Sequence, residues 1–272
     1  MDDIAIPKIE GRNVTKVYGS SRPGESVVAL SGVSFAIRPH EFIAIVGPSG
    51  CGKSTLLSLI AGFLSPTEGE ILLDGKPVRE PGRERGFMFQ DYALFPWRTV
   101  RGNVEFGPLA RGVPKPERQE IGDRYIELVG LEGFESRYPH ELSGGMRQRC
   151  ALARLLANEP DVWLMDEPLA AVDLQTRSIL QEELLRIWGE DRDVGQRRTV
   201  LFVTHGIDEA VFLSDRIIVL GRRPGTIKEI VPIDLPRPRA RFRGDSRVRE
   251  HVEYIWDLIR DEAAQAIVEE TG

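Results

Sequence analysis

One short segment has the residue types and spacing of a phosphate-binding loop. Residues 47–55 fit the pattern G-x-x-x-x-G-K-[ST], between an apolar run and leucines at helical spacing. Backbone N–H groups of such a loop, with the N-terminus of the next helix, bind phosphate oxygens. Lys53 would bring positive charge to the β- and γ-phosphates of a nucleotide, and the Ser54 hydroxyl would ligate Mg²⁺. The loop comprises Gly47, Pro48, Ser49, Gly50, Cys51, Gly52, Lys53, Ser54 and Thr55.

Two adjacent acidic residues, Asp166 and Glu167, end a second apolar run at 162–165. At the carboxyl edge of a strand beside a phosphate loop, one carboxylate can complete the Mg²⁺ shell while its neighbour faces the γ-phosphate. We assign the metal role to Asp166 and the polarisation of an attacking water to Glu167. Without the phosphate loop, a solvated acidic strand end would be the better interpretation.

A second turn with phosphate-binding character comes later in the chain. Ser143, Gly144 and Gly145 stand at the start of a predicted helix, where a hydroxyl and free backbone N–H groups can bind phosphate. One nucleotide has a single γ-phosphate, which Lys53 already serves. The second turn therefore makes sense if it serves the nucleotide of another subunit, whereas on its own it would indicate only a helix cap.

The two cysteines, Cys51 and Cys150, show no CxxC spacing and no nearby histidine partner. Neither a disulfide framework nor a zinc site is indicated, and a reducing cytosol fits this usage. Because Cys51 lies within the phosphate loop, backbone N–H groups and the helix N-terminus should favour its thiolate. The alternative is an inert residue that only fills space.

The elements that would position these residues alternate between strands and helices. Apolar runs predict strands at 42–46, 162–165 and 199–204, each short and continuous as in strands buried on both faces. β-rich segments with turn residues precede the phosphate loop, and helical patterns dominate from Tyr92 to about Pro160. This order indicates an α/β core interrupted by a helical subdomain.

Length and composition fit one large domain, or one domain with a subdomain. The chain has 272 residues, of which 41% are hydrophobic, enough for a sizeable core. Its formal net charge is −6 and its basic residues are scattered, which argues against nucleic-acid binding by bulk electrostatics. No apolar run approaches the ~18 residues of a membrane span, and the acidic N-terminus is unlike a signal peptide. We expect any membrane role to act through a partner.

The C-terminal region combines a linker-like stretch with a helical pattern. Residues 232–243 hold three prolines and four arginines and predict an extended linker. Apolar residues then recur at helical spacing and predict an amphipathic helix over 247–270, which packs on its own domain or is offered to a partner. The apolar residues are Val248, Val252, Ile255, Ile259 and Ala263.

Together these segments resemble the ATP-binding subunits of ABC transporters over nearly the whole chain. Residues 47–55 are similar to their Walker A loop, and Val162–Asp166 with Glu167 is similar to Walker B and the catalytic glutamate. Residues 142–146 are similar to their LSGGQ signature, with Met146 where glutamine is the commoner residue. That departure leaves the serine and both glycines of the signature in place.

The resemblance implies roles for four further residues. Gln90 matches the Q-loop glutamine, which contacts Mg²⁺ and the water and senses the permease. Asp173 matches the D-loop, His205 the switch histidine, and Tyr18 the aromatic residue that stacks on adenine. On its own, a histidine after a strand or a tyrosine at a strand end would more often be structural.

The implied fold class is α/β, with a RecA-like phosphate-loop NTPase core, an N-terminal antiparallel β-subdomain and an inserted helical subdomain at about 91–160. The ATPase domain would span residues 1–235, followed at 236–272 by the linker and the amphipathic helix. Cofactors would be ATP and Mg²⁺. Two copies would form a homodimer that holds two ATP between Walker A of one chain and residues 143–145 of the other.

The implied function is that of a cytosolic ATPase subunit of an importer. It would lie on the cytoplasmic face of the cell membrane through separate permease chains, with an extracytoplasmic solute-binding protein as an indirect partner and no nucleic acid. The solute stays open, because this subunit never touches it. Four segments resemble the nitrate/sulfonate/taurine importer branch, namely residues 95–100, 206–210, 222–225 and 234–238.

Residues 90–100 would dock on the permease, since Tyr92, Phe95 and Trp97 are many aromatic residues for an ordinary exposed loop. The competing interpretation is that they fill the seam between core and helical subdomain.

Two other functions compete with import. A soluble ATPase of the same family that acts on DNA or ribosomes would need a long coiled coil between the nucleotide motifs or two cassettes in one chain, and the sequence has neither. A small-molecule kinase is disfavoured by the turn at 143–145 and by the lack of an evident acceptor pocket.

Overall fold

A computed structural model describes residues 6–19, 26–190, 193–242 and 244–270. The acidic N-terminal residues and Arg243 lie outside this range, as does the side chain of Ala263. The chain divides into two compact units, a first unit of Met1–Gly82 with Gly189–Gly272 and a second unit of Arg83–Trp188. Within the described residues, no helix combines the length and apolar character that crossing a membrane requires.

Both units mix strands and helices. The first unit contains β1 (Ile9–Tyr18), β2 (Val27–Ile37), β3 (Phe42–Val46), α1 (Lys53–Ala61), β4 (Glu68–Leu73), β5 (Lys76–Pro77), β8 (Thr199–Val203), α7 (Ile207–Leu213), β9 (Arg216–Leu220), β10 (Ile227–Pro232) and α8 (Ser246–Glu270). The second unit contains β6 (Arg85–Met88), α2 (Val100–Val104), α3 (Phe106–Ala110), α4 (Lys115–Leu128), α5 (Gly144–Ala157), β7 (Val162–Asp166) and α6 (Leu174–Trp188).

An antiparallel sheet forms the N-terminal part of the first unit. Its strands lie in the order β2–β1–β4–β5. Val33, Phe35 and Ile37 of β2 are buried while the residues between them are exposed, the alternation of a strand with one face on a core. Leu73 pairs with Lys76, so a tight hairpin turn joins β4 to β5.

The other strands of the first unit lie in the order β10–β9–β3–β8. β3 pairs in parallel with both β8 and β9, so that Ile45 lies opposite Val203 and Ile218. Every residue of β3 and β8 is buried, as expected for strands covered on both faces. Because β3 and β8 run in the same direction, the phosphate loop and His205 leave the sheet at the same edge.

The second unit carries the predicted helices around a parallel strand pair. β6 and β7 pair with Phe87 opposite Leu164. The helical patterns predicted between Tyr92 and about Pro160 are confirmed, most clearly by α4 and α5. α6 begins at Leu174, where the Asp173 carboxylate accepts the backbone N–H of Thr176 at 3.0 Å and caps the first turn.

The stretch predicted as an extended linker is instead packed on the first unit. Arg239 is 2% exposed and donates from Nη2 to Ser214 O at 2.7 Å, and burial lowers its pKa to about 10. Arg237 donates from Nη2 to Asp215 Oδ1 at 2.7 Å and to Leu213 O at 2.9 Å. The linker prediction is wrong because the last carbonyls of α7 and a carboxylate beside them, distant in sequence, accept both guanidinium groups.

The predicted C-terminal helix is present as α8, and it packs on the first unit. Ile255 and Ile259 belong to a buried cluster with Ala210 and Val211 of α7. Val248 and Val252 pack against the same cluster. The sequence left packing and partner binding open for this stripe, and the structure shows packing.

Candidate functional site

The phosphate loop, residues 47–55, joins β3 to α1 through a close turn. Gly52 caps α1 with a φ of 99°. A Cβ atom there would lie 2.7 Å from Leu30 Cδ2 and 2.9 Å from Ala29 O, so glycine alone fits. The turn leaves the backbone N–H groups at the start of α1 available to phosphate oxygens.

The side chain of Lys53 folds back over this loop. It is 5% exposed, and its ammonium donates to Gly47 O at 2.9 Å and to Pro48 O at 2.8 Å. These contacts hold a positive charge inside the loop. The next residue, Ser54, is exposed, so its hydroxyl is accessible to a metal ion.

The thiol of Cys51 differs from its predicted state. Cys51 is 1% exposed, and burial raises the pKa of the thiol, while the charge of Lys53 opposes this shift. The predicted preference for a thiolate is wrong because desolvation outweighs the nearby cation and N–H groups. The alternative, a space-filling thiol, agrees with the structure.

We expect a bulky maleimide to leave Cys51 unmodified in the folded protein near neutral pH. Burial excludes the reagent, and the raised pKa keeps the reactive thiolate fraction below that of a free cysteine. Peptide mass spectrometry after labelling of native and urea-unfolded protein measures this. Cys150, fully buried with its pKa raised to about 12, is the internal reference. Rapid labelling of native Cys51 alone would contradict the buried geometry.

Tyr18, predicted to stack on adenine, lies beside the helix that follows the phosphate loop. Its hydroxyl is 3.3 Å from Thr55 Oγ1, and the residue is 38% exposed. Lys16 places its ammonium 5.5 Å from the centre of the Tyr18 ring. The structure thus places a partly exposed aromatic ring next to the loop that would hold the phosphates.

His205 is exposed at the end of β8, on the sheet edge that also carries the phosphate loop. The preceding residue, Thr204, accepts the backbone N–H of Gly206 at 3.0 Å and donates to Glu209 Oε2 at 2.5 Å. These bonds tie the segment around His205 to the first turn of α7. Sequence reasoning gave neither Thr204 nor Glu209 a role of its own, because their hydrogen bond forms only when the turn is folded.

In the second unit, Gln90 and Glu167 come together. Gln90 Nε2 donates to Glu167 Oε2 at 3.3 Å. Glu167 has a φ of +50°, an uncommon conformation for a non-glycine residue and one that is concentrated at functional sites. Asp166, at the end of β7, is buried. Within this unit, the structure therefore places an amide and the two carboxylates at the carboxyl end of one strand.

Helix α5 supports several parts of this group. Gln148, 1% exposed, donates from Nε2 to Glu167 O at 3.4 Å. Arg154 donates to Tyr92 O at 2.8 Å and to Ala93 O at 2.7 Å, in the loop after Gln90. Sequence reasoning gave Gln148 no role, although it lies two residues after the signature segment 142–146. α5 thus connects that segment to Glu167 and to the loop after Gln90.

The predicted second phosphate turn, residues 143–145, opens α5. The exposed Ser143 accepts the backbone N–H of Met146 at 3.3 Å, so it is a helix cap. A Cβ atom at Gly144 would meet nothing within 4 Å, and one at Gly145 would lie 4.0 Å from Ala171 O. The turn is therefore open to an incoming group. Asp173 caps α6, and the backbone N–H of Thr176 lowers the pKa of its carboxyl.

The chain is similar to ATP-binding proteins of one family both in sequence and in fold. The family model described as ABC transporter matches residues 30–170. A solved dimeric structure of the ATP-binding cassette MJ0796, in a post-hydrolysis state bound to ADP and Pi, is similar with a TM-score of 0.74 and 34% identity. The match covers 84% of this chain and 99% of that one. It confirms the predicted fold class, a RecA-like α/β phosphate-loop core with an antiparallel β-subdomain and a helical subdomain.

Three curated relatives match most of this chain. An uncharacterized ABC transporter ATP-binding protein of Methanocaldococcus jannaschii is 52% identical, over 96% of this chain and 94% of its own length. The nitrate import ATP-binding protein NrtD of Synechocystis is 50% identical, over 84% and 83%. The taurine import ATP-binding protein TauB of Roseobacter denitrificans is 44% identical, over 86% and 89%.

Proposed function

This chain belongs to the ABC transporter family of ATPases, and we propose that it is the ATP-hydrolysing subunit of an importer for a small anion of the nitrate, sulfonate and taurine class. The relatives named for nitrate and taurine import support this class. The permease, the solute-binding protein and the location on the cytoplasmic face of the membrane follow from that assignment.

The observation that carries the shared-site part of this proposal is an open helix start, with a serine and two glycines, in a chain that already has a phosphate loop. Ser143 and the glycines after it are open at the start of α5, while Lys53 supplies the charge for the chain's own nucleotide. Two chains related by a two-fold axis would each lend residues 143–145 to the other's ATP. We propose that ATP binding closes this homodimer and that hydrolysis reopens it.

Nucleotide binding then uses the phosphate loop, Tyr18 and three proposed metal ligands. The phosphate loop and Lys53 hold the β- and γ-phosphates, and the ring of Tyr18 packs on adenine. Mg²⁺ would be held through the oxygens of Ser54, Gln90 and Asp166, hard ligands that suit it, and would supply charge that neutralises the phosphates. The exposed Ser54 hydroxyl, an oxygen ligand open to solvent, fits this ion.

Hydrolysis would use Glu167 as the base that polarises the attacking water. Gln90 donates a hydrogen bond to Glu167 and would orient its carboxylate. We propose that Gln90 also senses the permease. His205 would stabilise the charge that develops on the γ-phosphate. Asp173, held by its cap on α6, would lie at the contact between the two chains.

A docking surface for the permease is supported by the loop at 95–99. Asn103 is fully buried and binds both backbone groups of Phe95, at 2.8 and 3.2 Å. Phe95 packs on Phe106 with ring centres 4.5 Å apart, whereas Trp97 is 72% exposed. The packing interpretation therefore applies to Phe95, which packs within its unit, and the docking interpretation applies to Trp97, which faces solvent. An exposed tryptophan on a rigid loop is typical of an interface anchor.

Trp97→Ala is expected to abolish copurification with the permease and to leave nucleotide affinity unchanged, because it removes an interface side chain far from the phosphate loop in sequence. The measurement compares tagged chains extracted in mild detergent, with partners identified by mass spectrometry as multi-span membrane proteins. Trp256→Ala, at a tryptophan of α8 that is 54% exposed, is the matched control and should copurify as the parent does.

Other outcomes separate the rival functions. Recovery of ribosomes or DNA instead of a membrane protein would contradict the importer. Early melting or aggregation of Trp97→Ala would mean that this side chain serves packing within its unit.

A further inference from the structure

The turn between β9 and β10, residues 221–226, is attached to strand β2. It contains residues 222–225, a segment typical of the importer branch that the proposed mechanism does not use. Gly225 donates its backbone N–H to Ala29 O at 2.9 Å and accepts the N–H of Ser31 at 3.0 Å. Gly225 and Leu30 thereby form a parallel bridge. The turn, here named the β9–β10 tip, is held by backbone bonds.

Gly225 also lies directly against the phosphate loop. A Cβ atom there would overlap the carbonyl oxygen of Cys51, and it would lie 3.0 Å from Leu30 Cδ2. Gly225 does not have the left-handed φ that favours glycine, so what this position requires is space. Any side chain at residue 225 must displace the backbone of the loop or of the tip.

Strand β2 contacts the phosphate loop at a second point. Leu30 is fully buried, and its Cδ2 is the nearest neighbour of a Cβ atom built at Gly52. β2 and the β9–β10 tip therefore enclose the back of the loop from Cys51 to Gly52. The peptide that follows leads into α1 and sets the direction of Lys53 and of the N–H groups that would hold phosphate.

We propose that Gly225 is a positioning residue for nucleotide binding, which keeps the phosphate loop in its binding conformation by letting the β9–β10 tip pack against the Cys51 carbonyl. This inference rests on the proposed ATP-binding role of the loop. Gly225 touches the loop backbone and no reacting atom, so it acts on nucleotide affinity and not on the hydrolytic step.

Gly225→Ala tests this with two readouts. A fluorescent ATP analogue should bind at least about tenfold more weakly, while kcat at saturating ATP stays within about twofold. In the absence of nucleotide, Cys51 should become reactive to maleimide while Cys150 stays protected and the β3 amides stay protected from hydrogen exchange. Gly195→Ala is the matched control, since a Cβ atom there meets nothing within 4 Å, and it should match the parent in both.

The labelling readout needs no nucleotide, so it separates failure of this inference from failure of the ATPase assignment. Parent-like affinity and a protected Cys51 in Gly225→Ala would overturn the inference. If that variant does not fold, Leu30→Ala tests the inference instead, because it weakens the packing of β2 against the loop without adding bulk. In Leu30→Ala, maleimide should label Cys51 faster than Cys150. Equal labelling of the two cysteines would overturn the inference.

Discussion

The Glu167→Gln variant is expected to bind ATP as the parent does and to hydrolyse it about 10²- to 10⁴-fold more slowly, the range that a general base contributes. Glutamine keeps the shape of the side chain and can still accept a hydrogen bond from Gln90, whose Nε2 contacts Glu167 Oε2 at 3.3 Å. It cannot accept the proton of the attacking water. The loss should therefore appear in kcat, with nucleotide affinity within about twofold of the parent.

A second measurement follows from the proposed dimer. Because Glu167→Gln binds ATP without consuming it, size-exclusion chromatography with Mg-ATP should show a stable dimer. Glu127→Gln, the same change at an exposed position of α4, is the matched control and should hydrolyse ATP at the parental rate. Hydrolysis by Glu167→Gln within about twofold of the parent would remove Glu167 from the catalytic role.

The parts of this molecule that sequence alone predicts are local. Residues 47–55 specify a strand–loop–helix unit through their own glycines and the apolar run before them, so the loop, β3 and α1 follow from neighbouring residues. The run ending at Asp166 is equally self-contained. The amphipathic stripe of α8 predicts a helix, and what covers it is decided by α7, which is remote in sequence.

The errors come from contacts between distant segments. The backbone N–H groups of the loop and the N-terminus of the next helix predict a thiolate at Cys51, but the burial that raises its pKa is a property of the folded chain. Arg237 and Arg239 resemble linker residues until α7 and Asp215 supply their acceptors. The hydrogen bond from Gln148 to the carbonyl of Glu167 joins α5 to the end of β7, and no spacing of residues in the sequence predicts it.

Two defective chains should restore each other's activity if the sites are shared between subunits. Lys53→Ala removes the ammonium from a chain's own phosphate loop. Ser143→Arg adds bulk and a misplaced charge at an exposed cap, at a folding cost of about 1 kcal/mol for the lost cap. In the mixed dimer both lesions meet in one site, and the other site joins a native Lys53 to a native Ser143. Each homodimer has two damaged sites, so mixing should recover ATP-driven closure.

The matched control places both substitutions in one chain and pairs it with an unmodified chain. These heterodimers, isolated through two different tags, have the same composition, but in the shared arrangement each site now carries one lesion and closure should be lost. If Ser143 served the nucleotide of its own chain, the results would reverse, because the unmodified chain would keep an intact site while the two single variants would have none. The arrangement of the substitutions, at constant composition, thus decides which chain Ser143 serves, and recovery only in the control would reject the shared site.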